Sequence, residues 1–251
     1  MAGGLLMAFL LFQIPVVNAD ELRVAVASNF LFPLKELSRE FEKSTGNEVV
    51  VISGSTGKLY AQIHQGAPFD IFLAADSTRP ELLEKEGMGV SGSRFTYAVG
   101  RLALWSADTK KFLMMGLKVL DQKNFRYLAM ANPKTAPYGK ATEQVLKEKG
   151  YWEKIQSRLV RGENISQTLQ FVVTGNAEIG FISLSQLSRS KRPLGGTSWV
   201  VPSNLHDPIR QDALLLKRAE TNNVARNFLS FLKSKQGRKI IESYGYSLEH
   251  F

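Results

Sequence analysis

Two short stretches of this chain carry side chains suited to holding an anion. SGSTGK (53–58) sets the hydroxyls of Ser55 and Thr56 between Gly54 and Gly57, with Lys58 behind them. Ser28-Asn29 puts a second hydroxyl and an amide just ahead of a helical pattern that holds Pro33 in its first turns. A helix N-terminus offers unpaired N–H groups and the positive end of a dipole, so small polar residues there make a ready anion site. The plainer job of Ser or Thr at such a place is to cap its own helix. Two such turns on one parallel sheet can point at the same spot, which capping alone does not explain.

SGSTGK also resembles the end of a nucleotide-binding loop, G-x-x-x-x-G-K-[ST]. Two defining positions fail: residue 52 is isoleucine where the first glycine belongs, and Leu59 stands where a magnesium-holding hydroxyl belongs. Nucleotide binding through Lys58 is therefore a minor alternative. Catalytic patterns are weak. His64, His206 and His250 lack metal-ligand spacing, and no G-x-S-x-G elbow exists. Asp70 and Asp76 flank the apolar strand of PFDIFLAAD, which leaves a hydrolase using that pair as an alternative from another class.

Composition narrows the classes further. The 251 residues are 44% hydrophobic, enough for one large or two smaller cores. Lys and Arg outnumber Asp and Glu, 32 to 23, a formal charge of +9 that attracts anions. No basic run is interleaved with aromatics as a nucleic-acid groove requires, so no nucleic-acid partner is expected. The chain has no cysteine, which excludes a disulfide framework, a thiolate metal site and a cysteine nucleophile. Residues 1–19 carry no charge, with an apolar core from Leu5 to Ile14 and small residues at Val17 and Ala19. They read as a cleaved secretory signal, although the usual preceding basic residues are missing, and the mature chain would start near Asp20.

The elements that must position these residues alternate. Strands are expected at 22–28, 48–53 and 70–75, with a first helix that carries Leu34, Leu37 and Phe41 on one face and ends near Gly46, and further helices at 58–65 and 80–86. That order implies a parallel sheet with helices on both faces. AVGRLALWS (98–106) reads as a long strand crossing to a second α/β set, with strands at 127–131 and 179–184 and helices at 140–149 and 165–174. DALLLK (212–217) reads as the return crossing, followed by helices at 223–233 and 236–244. The expected architecture is α/β: lobe one from 20–98 and 212–251, lobe two from 99–211, and two crossings between them. A ligand would sit in the cleft, outside the carboxyl ends of the strands.

Six ordered motifs then carry a resemblance over about Leu22 to Tyr246. They are AVASNF (25–30), GSTGKLYAQI (54–63), GAPFDIFLAAD (66–76), ANPKTAPYGKAT (131–142), GENISQTLQFV (162–172) and AEIGFISLSQL (177–187), with YGY (244–246) at the close. The chain resembles periplasmic molybdate-binding proteins, the substrate-binding components of ABC transporters. That resemblance implies the two-lobed periplasmic-binding-protein fold of type 2, closing by a hinge on one tetrahedral oxyanion. It implies molybdate, and with it tungstate, as ligand; a membrane permease as partner; no cofactor; no enzymatic activity; a monomer in the periplasm. Sulfate or another oxyanion is the alternative within the class. Carried over by motif, the ligand contacts fall on Ser28, Thr56, Tyr138 and Ile165, the last two through backbone N–H groups, and on Ser183, where family members often carry a tyrosine. Asn29 and Ser55 are additional candidates. Molybdenum would be present only inside the oxyanion, with no protein atom bound to the metal.

Overall fold

The computed structural model describes residues 21–110, 116–122, 124–188 and 194–249. The expected signal segment and His250 lie outside them. Two five-stranded sheets, each covered by helices on both faces, form two lobes.

The first lobe opens with β1 (Glu21–Ala27), a one-turn 3₁₀ segment (Ser28–Phe30) and α1 (Leu31–Thr45). It continues through β2 (Glu48–Gly54), α2 (Thr56–His64), β3 (Ile71–Leu73), α3 (Thr78–Lys85) and β4 (Phe95–Gly100). The second lobe holds β5 (Leu102–Ser106), β6 (Leu128–Ala131), α4 (Pro137–Glu148), α5 (Trp152–Ile155) and β7 (Leu159–Gly162). Then come α6 (Ile165–Val173), β8 (Ile179–Ser183), α7 (Leu184–Leu187) and β9 (Thr197–Val200). The chain returns to the first lobe with β10 (Ile209–Leu215), α8 (Asn223–Lys233) and α9 (Lys235–Ser243).

The sheet orders are β2-β1-β3-β10-β4 and β7-β6-β8-β5-β9. In each, three parallel strands are followed by one antiparallel strand, β10 or β5. The sheets are thus mixed where the alternating pattern predicts parallel strands only. The two antiparallel strands are the ones that adjoin the crossings, and a strand entering from the other lobe is not bound by the βαβ rule.

The crossings also differ from the sequence expectation. The run 98–106 is not one strand spanning both lobes. It breaks at Arg101, with β4 in the first sheet and β5 in the second. The return likewise runs between Val200 and Ile209, and β10 lies wholly in the first sheet. Hydrophobic alternation continues through Arg101 because both neighbouring strands are buried, so composition alone does not mark the break.

Period-two alternation explains the packing. In β1, Val24 and Val26 face a core with Leu34, Leu37 and Phe228, while Ala25 faces the other side with Leu59, Phe72 and Leu214. A strand buried on both faces must be apolar throughout. In the second sheet Leu104, Leu128 and Phe181 pack with Tyr138 and Val145. Ala129 and Ile182 pack with Leu169 and Val172 on the opposite face.

The parallel register positions the site. Ala27 pairs level with Gly54 at the carboxyl ends of β1 and β2, and Ala131 pairs level with Gly162 at the ends of β6 and β7. Four strand-to-helix turns therefore emerge side by side, two from each lobe. Ala27 and Ala75 of the first lobe share a core with Ala136 and Ile165 of the second, so the turns meet face to face. Among the described residues no helix is long and apolar enough to cross a membrane.

Candidate functional site

Ser28, Asn29, Ser55, Thr56, Tyr138 and Ile165 line one small cavity between the lobes, together with residues that include Gly54, Ala75 and Pro137. It measures about 10 Å³ and no charged residue lines it. A space this small has no room for a nucleotide.

Each turn presents donors for a local reason. Ser55 is the N-cap of α2, and its Oγ accepts from the Lys58 N–H at 3.4 Å. Thr56 is the first residue of that helix, two residues earlier than the apolar pattern predicts. Its Oγ1 accepts from the Ala75 N–H at 3.1 Å. A hydroxyl oxygen that accepts from a backbone N–H still holds its own proton for donation. Both residues are buried, at 2% and 1% exposure.

In the second lobe, Asn164 caps α6. Its Oδ1 accepts from Ser166 N–H and Gln167 N–H, both at 3.0 Å, and so leaves the Ile165 N–H at the helix start without that cap. Helix α4 starts with Pro137, which has no N–H, so Tyr138 supplies the first backbone donor of that helix. The Tyr138 hydroxyl accepts from Gln211 Nε2 at 3.2 Å and is thereby engaged with the first lobe.

Asn29 behaves differently from a free amide. Its Nδ2 donates to Gln211 Oε1 at 2.8 Å and to the Tyr246 hydroxyl at 2.9 Å. Both amide protons are therefore taken, and only its backbone N–H remains for a ligand. Ser183 is not among the residues lining the cavity. It ends β8, fully buried, with its N–H donating to Gln186 Oε1 at 3.1 Å and its hydroxyl 2.9 Å from that of Ser185. Ser185 Oγ in turn donates to the Asn29 carbonyl at 3.1 Å. Ser183 thus stands two side chains behind the cavity wall.

Sequence reading missed the network behind that wall. Gln211, Tyr97, Tyr246 and Ser185 join Asn29 and Tyr138 in buried hydrogen bonds that cross between the lobes. The residues are scattered over the chain from 29 to 246, so no local spacing signals them. Burial pushes the Tyr246 hydroxyl up to about 12, and raises Tyr97 and Tyr138 well above their ordinary value. The neutral forms are therefore favoured in the folded state. Because the folded pKa of Tyr246 exceeds the unfolded value of about 10, its contribution is complete below pH 10 and is lost as pH rises toward 12. Denaturant titrations across roughly pH 9–12 should show stability falling, and Tyr246→Phe should remove about 2–3 kcal/mol of that fall. An identical pH dependence in the variant would contradict this account.

The remaining candidates are held elsewhere. Asp70 Oδ2 accepts from the Arg23 N–H at 2.8 Å at the start of β3. Asp76 lies past its other end, where Oδ1 accepts from the Arg79 N–H at 3.0 Å. Strand β3 and the bend after it lie between the two, and each carboxylate is engaged by its own neighbours, which is not the arrangement of a pair sharing acid–base work. Lys58 Nζ pairs with Glu163 at 2.6 Å instead of entering the cavity. His64 packs on Tyr60 and pairs with Glu86, and His206 contacts the Asp207 carbonyl. Among the described residues no cluster of His, Asp or Glu could hold a metal ion. A larger cleft of about 550 Å³ lies beyond Ala75, Ala136 and Pro137. Asp76, Arg79, Lys140, Asp207 and Arg210 line it, so a ligand there meets charges of both signs, unlike the uncharged smaller cavity.

Comparison with known proteins agrees with this geometry. Residues 22–247 match the family described as bacterial extracellular solute-binding protein. A molybdate-binding protein ModA of Azotobacter vinelandii is 50% identical over 232 residues, covering 92% of each chain. A molybdate-binding protein ModA of Rhodobacter capsulatus is 42% identical over 248 residues, covering 99% of this chain and 96% of its own. The solved structure of an Azotobacter vinelandii periplasmic molybdate-binding protein superposes with a TM-score of 0.87 at 40% identity, over 91% of this chain and all of that one.

Proposed function

The chain belongs to the bacterial extracellular solute-binding proteins, and we propose that it is a periplasmic receptor that captures molybdate, and equally tungstate, for delivery to the permease of an ABC transporter. The observation that carries this reading is the cavity itself: hydroxyls and helix N-termini from four turns, with no charged residue among them. A desolvated dianion is stabilised there by charge-assisted hydrogen bonds and by helix dipoles, without a counter-ion. Thr56 and Ser28 donate through their hydroxyls, with Ser55 beside them. Tyr138, Ile165 and Asn29 donate through backbone N–H groups. Ser183 supports the wall through Ser185.

The absence of a carboxylate matters for selectivity. Phosphate carries at least one proton near neutral pH and needs an acceptor for it. Molybdate, tungstate and sulfate are fully deprotonated and need donors only. The relatives' molybdate binding favours the first two over sulfate. The two closing bodies are the lobe of β1 to β4 with β10 to α9 and the lobe of β5 to β9, with the crossings at Arg101 and between Val200 and Ile209. The permease reads the closed face they form together. The receptor works as a monomer without a cofactor and performs no catalysis.

Thermal unfolding of the mature protein tests this with molybdate, tungstate, sulfate, phosphate and Mg-ATP in turn. A ligand at 1,000 times its Kd adds about 4 kcal/mol, or roughly 10 °C for a chain of this size. Molybdate and tungstate should give that shift and Mg-ATP none. A shift with ATP and none with either oxyanion would overturn the reading.

A further inference from the structure

Gly57 and Lys58 are the part of SGSTGK that the cavity does not use, and both face the second lobe. The Gly57 N–H donates to the Thr135 carbonyl at 2.9 Å, a backbone bond between lobes. Lys58 Nζ reaches Glu163 Oε2 at 2.6 Å. Beside them Arg79, held by Asp76, donates to the Lys134 carbonyl at 3.2 Å. Thr135 Oγ1 donates to the Glu163 carbonyl at 3.2 Å, so the two receiving loops of the second lobe are tied together.

Glycine at 57 has one visible reason. Its backbone is helical, with no positive φ to demand it. A Cβ there would lie 3.0 Å from Thr135 Cα and 3.1 Å from Thr135 O. The residue is small because two backbones approach this closely. The loops it touches lead directly into α4 and α6, whose starts carry Tyr138 and Ile165. The first turn of α2 therefore has two faces. Thr56 looks into the cavity, and Gly57 and Lys58 look outward across the cleft.

The geometry points to Gly57 and Lys58 as a closure latch: once the lobes shut, they engage Thr135 and Glu163, hold the second lobe's donors in place and set the rate at which the oxyanion leaves. They are positioning residues and touch no ligand. The inference rests on the oxyanion-receptor reading. The latch forms after encounter, so it acts on release and leaves the association rate alone. Its ionic half is exposed and salt-screened; its backbone half is not.

The chain has no cysteine, so one introduced on the outer face of each lobe can carry a dye pair that reports closure. Molybdate association and release are followed in the wild type, Gly57→Val, Lys58→Glu, Glu163→Lys and the Lys58→Glu/Glu163→Lys double variant. Gly57→Val should speed release about tenfold, from the lost backbone bond and the collision with Thr135. Lys58→Glu should speed it about threefold at low salt, with association unchanged. The charge-swapped double variant should return to near the wild-type rate, which a merely structural role would not produce. Wild-type release rates in both Gly57→Val and Lys58→Glu would overturn the latch, as would a swap that rescues nothing. A wild type whose dyes ignore molybdate would count against the ligand reading alone; the unliganded closed fraction of the same variants would then decide the latch.

Discussion

Replacing Thr56 with alanine should weaken molybdate binding by roughly 1.5–3 kcal/mol, the range for a hydrogen bond to a charged group. Thr56 is 1% exposed, so water does not replace the lost donor. Its oxygen is fixed by the Ala75 N–H, and this leaves the proton to the cavity. The hydroxyl's direction is thus set before any ligand arrives, and little ordering entropy is lost on binding. The same substitution leaves the Ala75 N–H without its partner, so the unliganded protein should also lose about 1–3 kcal/mol of stability. The two effects separate when titrations are run where both proteins are fully folded. Thr56→Ser keeps the oxygen and its proton, and should retain most of the affinity. An unchanged affinity in Thr56→Ala would mean that the hydroxyl serves only the Ala75 bond, and Ser55 would then carry the role.

Arg94→Ala should destabilise the protein by about 3 kcal/mol, with little direct effect on the cavity. Asp212 on β10 is 1% exposed, and its carboxylate accepts from Arg94 Nη1 and Thr96 Oγ1, both at 2.8 Å. Removing the guanidinium leaves that charge buried with a single neutral partner. The low end of the 3–5 kcal/mol range for breaking a buried pair applies, because the Arg94 side chain is itself 32% exposed. Arg94 also holds Glu84 at 3.1 Å, so α3 loses a tie to β4 in the same step. The guanidinium is held above its usual range, first by its hydrogen bond to Asp212. Thermal unfolding should show a fall of roughly 6–12 °C. Arg94→Ala combined with Asp212→Asn should recover part of it, since the uncompensated charge is then gone. A fall below about 1 kcal/mol would show that Thr96 and water suffice for Asp212.

Much of this architecture is legible in the sequence because local patterns agree with the fold. The apolar runs of β1 and β3 are strands buried on both faces, and Leu34, Leu37 and Phe41 mark the inner face of α1; the valine-rich run of β2 reads the same way but is an edge strand in which only Val49 is buried. Two edge strands are not legible. LVRG of β7 and TSWV of β9 each have one neighbour strand, and their partly exposed residues blur the alternation. The start of α2 is misplaced by two residues because Thr56 and Gly57 carry no apolar signal, whereas the Ser55 cap fixes the boundary physically.

The candidate site divides the same way. Ser28, Thr56, Tyr138 and Ile165 fall at strand-to-helix turns, which local sequence marks, and all four line the cavity. Ser183 also ends a strand, yet the turn after β8 enters a four-residue helix whose Ser185 contacts the Asn29 turn instead. Nothing local distinguishes that turn from the other four. The engagement of Asn29 by Gln211 and Tyr246 is a long-range fact, 182 and 217 residues apart in sequence. Gly57 is a similar case: its reason for being glycine lies on another lobe.

The central claim is that neutral donors at four helix starts hold one tetrahedral dianion. Anomalous diffraction at the molybdenum edge, from crystals grown with molybdate, tests it most directly. One strong peak should appear in the cavity, with oxygens within hydrogen-bond distance of Ser28, Thr56, and the backbone N–H groups of Tyr138 and Ile165, and no carboxylate in contact. A peak in the larger cleft beside Asp76 and Arg210, or no ordered molybdenum at all, would contradict the account.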